Sequence, residues 1–103
     1  MTVDVQAINF GSSQPLFEHA RRRLDASLDR FAQRIRRVSV KLEDENGPKG
    51  GQDMRCQIEV ELDRHGRVII EQHDSDPYVA VDRAADRAKR TVRRAIGRAR
   101  ARR

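Results

Sequence analysis

The amino-acid sequence predicts an α+β fold, β-α-β-β-β-α, with a four-stranded sheet and two helices packed on one of its faces. Three observations lead there. Two stretches repeat apolar residues at helical spacing, four others alternate apolar with polar residues, and short clusters of Gly, Ser, Asn and Pro separate them. Each strand has one apolar side and each helix one apolar stripe. Two layers therefore cover both, leaving the far face of the sheet polar and wet.

The first strand, residues 2–10, puts Val3, Val5 and Ala7 on one side and Asp4 and Gln6 on the other. Gly11-Ser12-Ser13 breaks it. Ser12 or Ser13 is then suited to cap a helix, and Pro15 fits its first turn, where an amide hydrogen has no intrahelical partner. Leu16, Ala20, Leu24, Leu28, Phe31 and Ile35 form the stripe of that helix, which the spacing carries to about Gln33. Val38, Val40 and Leu42 mark the second strand. Residues 44–53, with Asn46-Gly47-Pro48 and Gly50-Gly51, read as a loop. Cys56, Ile58, Val60 and Leu62 make the clearest strand. Asp63-Arg64-His65-Gly66 is a hairpin turn into a fourth strand through Val68 and Ile70, ending near His73. Asp76 caps the second helix with Pro77 at its first position. Its stripe is Tyr78, Val81, Ala85, Ala88, Val92 and Ile96. Residues 1–97 are expected to form one domain, and residues 98–103 a basic tail that frays.

The chain has 103 residues, enough for one small domain and too few for a multidomain machine or a multi-helix membrane protein. Its only aromatics are Phe10, Phe17, Phe31 and Tyr78, so the core rests on Val, Ile, Leu and Ala. The start has no basic segment followed by an apolar run, so it is no secretory signal. The longest apolar run, residues 78–81, falls far short of the ~20 residues that span a bilayer. Cys56 is the single cysteine, which rules out an internal disulfide and suits a reducing compartment. A cytoplasmic protein without membrane contact is expected.

Charge is where the sequence says most. The net charge is +6, and 19 of the 22 basic residues are Arg, whose planar fork matches phosphate oxygens. Residues 76–103 hold ten basic and three acidic residues, a net of +7; residues 1–75 hold twelve and thirteen, a net of −1. On the second helix Arg83, Arg87, Arg90, Arg94 and Arg98 follow one another at spacings of four, three, four and four, which keeps them on one face. Lys89, Arg93 and Arg100 flank that row. Like charges so spaced repel, and a polyanion removes the repulsion; a solvated, solubilising face is the plainer alternative. Arg21-Arg22-Arg23 on the first helix and Arg34, Arg36 and Arg37 at its exit are further basic clusters. Arg22 is counted with the RNA-binding set, although Arg21 and Arg22 could equally pair with Glu18, Asp25 or Asp29. No aromatic is interleaved with the arginines, which favours recognition of backbone and shape over base stacking.

Catalysis and metal binding find no support. The carboxylates around Asp44-Glu45-Asn46-Gly47 lack calcium-loop spacing, and His19, His65 and His73 show no ligand spacing with Cys56. Cys56 falls on the apolar side of its strand, where core packing explains it. Neither a Ser-His-Asp set nor a glycine-rich phosphate loop is present. No enzyme activity, cofactor, metal or small-molecule substrate is expected.

The run Asp76-Pro77-Tyr78-Val79-Ala80-Val81-Asp82 resembles the Asp-x-Tyr-x-Ala-Ile-Asp stretch of the bacterial ribosome hibernation-promoting factors and ribosome-associated inhibitors. Residues 16–35 look like that family's first helix, and the element order is that of its fold. The resemblance is to a short form, the sequence ending at Arg103 without a second domain or an acidic tail. It implies a stress-responsive, stationary-phase protein that binds the small ribosomal subunit through ribosomal RNA, inhibits translation and stores idle ribosomes. Asp76, Tyr78 and Asp82 match the motif as a cap, a core anchor and an anion at the helix start. The family's second helix is usually Lys-rich with Leu in its core, and here it is Arg-rich with Ala and Val. Two alternatives stay open: a general binder of structured RNA or duplex nucleic acid, and a protein-interaction module using a sheet edge.

Overall fold

The computed structural model describes residues 1–11, 13–46, 53–64 and 66–101, with side chains as far as Arg98. Ser12, residues 47–52 of the expected loop, His65, residues 102–103 and the side chains of residues 99–101, Arg100 among them, lie outside the described residues. The elements are β1 (Thr2–Ile8), α1 (Gln14–Leu28), a 3-10 segment (Asp29–Arg34), β2 (Ile35–Asp44), β3 (Met54–Leu62), β4 (Gly66–Asp74) and α2 (Pro77–Ala101). This is the predicted order.

The strands lie side by side as β1-β2-β3-β4, with β1 parallel to β2 and the other pairs antiparallel. Parallel neighbours need a long crossover, and α1 supplies it. The register aligns the apolar residues: Val3 and Val5 sit beside Val38 and Val40, which face Val60 and Ile58 across the next pairing. Val38, Val40, Leu42, Cys56, Ile58 and Val60 are all at most 1% exposed. α1 lies against β1, and α2 lies over β3 and β4 beside α1.

The far face of the sheet is polar, with charges in mixed pairs. Arg37 meets Asp4 at 3.1 Å and Arg67 meets Glu59 at 2.8 Å, while Arg55 reaches both Glu43 and Glu71. Opposite charges across neighbouring strands suit a solvated sheet face.

Ser13 is the cap of α1: its Oγ accepts from the Leu16 amide at 3.3 Å, and Pro15 sits in the first turn. The helix ends sooner than its spacing predicts. From Asp29 the backbone tightens into the 3-10 segment, and Ile35 opens β2 instead of closing the helical stripe. The Arg34 carbonyl accepts from the Asp63 amide at 2.7 Å, tying this exit to the β3–β4 turn. In that turn Arg64 and Gly66 take φ values of 71° and 74°, the left-handed region that glycine adopts without steric cost.

Two further corrections concern α2. Tyr78 is no core anchor: it is 39% exposed, its ring edge-on to His19 at 5.0 Å between centroids. The helix also continues through Gly97 to Ala101, where the sequence reading stops it at Gly97. Ala80 and Ala84 join Val81, Ala85, Ala88, Val92 and Ile96 in the core. The buried arc is broad because α2 rests on the sheet and on α1 together.

Burial pushes the Cys56 thiol up to about 12, since a thiolate there would lose its water. At pH 8 this leaves on the order of a thousandfold fewer thiolates than a free cysteine has. Native protein is therefore expected to resist a disulfide reagent at pH 8, labelling only as fast as it opens. Native labelling as fast as in denaturant would show the thiol to be accessible.

Candidate nucleic-acid interface

α2 starts where the sequence sets it. Asp76 Oδ1 accepts from the Tyr78 amide at 2.9 Å, and its carbonyl accepts from Ala80 at 3.0 Å, so orphan donors of the first turn are satisfied. From there the alanine-rich stripe faces inward and the basic residues divide between two flanks.

On the α1 flank stand Asp82 and Asp86. Arg23 reaches across from α1 to both, at 2.9 and 3.1 Å, and His19 Nε2 lies 2.7 Å from Asp82. Arg23 is thus an interhelix tie. Arg21 and Arg22 are exposed and form no ion pair among the described residues, so neither pairs with Glu18, Asp25 or Asp29.

The other flank carries the arginine row, and its members are not equivalent. Arg83 lies 3.6 Å from Asp74 of β4, and Arg87 donates to the Glu71 main-chain carbonyl at 3.2 Å. Both lean on the edge strand of the sheet. Arg90, Arg94 and Arg98 of the row, and Lys89 and Arg93 flanking it on the side of Asp82 and Asp86, have no carboxylate partner among the described residues, and the four arginines are exposed. The available positive charge is therefore displaced toward the C-terminal half of α2.

Topology concentrates it further. α2 runs back along β4, and its 25 residues at ~1.5 Å each exceed the length of a nine-residue strand at ~3.3 Å each. Its last turns overhang the end of the sheet where the 3-10 segment and the β3–β4 turn lie. That end gathers Arg30, Arg34, Arg36, Arg64 and Arg67 with the arginines of α2. Arg36 and Arg67 are paired, with Asp63 and Glu59; Arg30, Arg34 and Arg64 have no ion pair among the described residues. The opposite end, where both helices begin, gathers Glu18, Asp44, Glu45, Asp53, Asp74 and Asp76. The molecule measures 52 Å along its longest axis, and among the described residues carboxylates gather at one end of the sheet and arginines at the other.

Sequence reasoning missed Arg30 and Arg64. Extending the first helix's outer face through Arg22 and Ala26 would have reached Arg30; nothing local signals Arg64, which joins the group only through the antiparallel turn. Among the described residues no cluster of His, Cys, Asp and Glu is arranged to hold a metal, and no helix is long and apolar enough to cross a membrane.

Residues 3–100 match the family described as Sigma 54 modulation protein / S30EA ribosomal protein. Among solved structures the chain is similar to the N-terminal domain of Thermus thermophilus Protein Y, with 30% identity and a TM-score of 0.74 over 91% of this chain and 98% of that one. It shares its fold with a ribosomal subunit interface protein from Coxiella burnetii, at 13% identity and a TM-score of 0.76 over 91% and 96% of the two chains. None of the curated proteins compared matches the sequence. A match over nearly the full length, on a fold with one strongly basic end, makes this chain a member of the Sigma 54 modulation / S30EA ribosomal protein family, whose members are ribosome-associated.

Proposed function

We propose that this protein binds the small ribosomal subunit through phosphates of ribosomal RNA, and that by occupying the subunit it inhibits translation and stores idle ribosomes in the cytoplasm. The observation that carries the reading is the set Lys89, Arg90, Arg93, Arg94 and Arg98, held on a rigid helix without carboxylate partners among the described residues. Like charges so spaced repel one another, and a polyanion relieves that repulsion. Arg22 extends it on α1, whereas Arg83 and Arg87 also steady α2 on β4 and contribute less. The action is occupancy, with no chemical step. Arg87 on the Glu71 carbonyl takes up part of the β4 edge and so weighs against a partner strand adding there.

The test is binding of purified small subunits across a salt series, with duplex RNA as competitor. About five phosphate contacts give a slope of log affinity on log salt of roughly −3 to −5. A slope near zero rejects the phosphate interface, and equal preference for free duplex RNA makes the protein a general RNA binder.

A further inference from the structure

The fold builds a cleft of about 610 Å³ between the 3-10 segment and the C-terminal half of α2. Its size falls within the ~300–1,000 Å³ range of small-ligand sites. Arg30, Arg34 and Arg93 are among its lining residues, and none of the three has an ion pair among the described residues. Asp29 is the one carboxylate in the lining, so the cleft stays net positive. The lining also includes Phe31, half-buried and packed on the core, and Ile96, 5% exposed. The sequence places no aromatic among the arginines of α2; the fold brings one to them from 62 residues away, Phe31 to Arg93.

Guanidinium forks bind phosphate oxygens in paired charge-assisted hydrogen bonds, and aromatic and apolar side chains accept the face of a base. We infer that this cleft seats a single unstacked nucleotide, its phosphate on Arg30, Arg34 and Arg93 and its base against Phe31 and Ile96. The nucleotide comes either from a folded RNA that extrudes it or from the pool of free nucleoside monophosphates. Only the first source rests on the ribosomal reading.

Gly97 gives a variant that blocks the cleft without touching a charge. It lines the cleft, and a Cβ added there meets nothing within 4 Å, so Gly97→Leu projects into open space while improving helix propensity. Amide NMR of the full chain is titrated with GMP, AMP, inorganic phosphate and a short single-stranded RNA. Either nucleoside monophosphate, or the RNA, is expected to shift the amides of residues 29–34 and 93–97 and to do so at least fivefold more tightly than inorganic phosphate. Gly97→Leu is expected to abolish that response. Response to the monophosphates assigns the free pool as a source; response to the RNA alone assigns the polynucleotide. Silence with both, equal binding of inorganic phosphate, or an unchanged response in Gly97→Leu overturns the inference. Sedimentation of the wild-type chain with small subunits, measured alongside, reports on the ribosomal reading separately: a silent cleft in a protein that still sediments overturns only the nucleotide seat.

Discussion

Replacing Arg90, Arg94 and Arg98 together by glutamate is expected to abolish co-sedimentation with small ribosomal subunits while leaving the protein folded. These three stand on the outer flank of α2 without carboxylate partners among the described residues, and none belongs to the buried stripe. Their removal breaks no tie to the sheet, unlike loss of Arg87, whose guanidinium holds the Glu71 carbonyl. If each neutralises one phosphate, the salt slope should flatten by about 3, and the new carboxylates add repulsion beyond that. Arg23→Gln is the control. It removes one positive charge that is already committed to Asp82 and Asp86, so subunit binding should hardly change. Normal sedimentation of the triple variant would reject the assigned flank, and collapse of its circular dichroism would show that the flank is structural.

The second large effect is on stability. Leu24→Ala should cost roughly 2–5 kcal/mol, the usual range for emptying a fully buried leucine site. Leu24 is 0% exposed in the middle of α1, between Ala20 and Leu28, which are equally buried. Those neighbours belong to a helix fixed to the sheet and to α2, so the site cannot collapse around the lost atoms. A small domain has only about 5–15 kcal/mol in total. Each kcal/mol moves the melting temperature of a domain this size by roughly 4–8 °C, so thermal unfolding should fall by at least about 8 °C. A drop under about 1 kcal/mol in urea titrations would mean that α1 is loosely packed.

How much of this could be read from the residues depends on which forces are local. Alternation in residues 54–62 and the caps at Ser13 and Asp76 are local signals, and the structure contains them. The end of α1 is not local. Phe31 and Ile35 continue the helical spacing, yet the backbone there is drawn into the 3-10 segment and β2 by pairing with β1, β3 and the Asp63 amide, all distant in the chain. Tyr78 failed in a similar way. It sits on the helical stripe, but in the first turn of α2, where His19 offers its ring an edge contact at the surface. Spacing alone located the arginine row along α2. It could not rank the members, because the groups that engage Arg83 and Arg87 belong to β4.

The separation of acidic and basic ends has a kinetic consequence. A body with opposite charge at its poles feels a torque in an external field, so near a polyanion it rotates before it touches. It should arrive with the overhanging turns of α2 leading and the helix starts trailing, which narrows the orientational search and speeds productive encounters at low ionic strength.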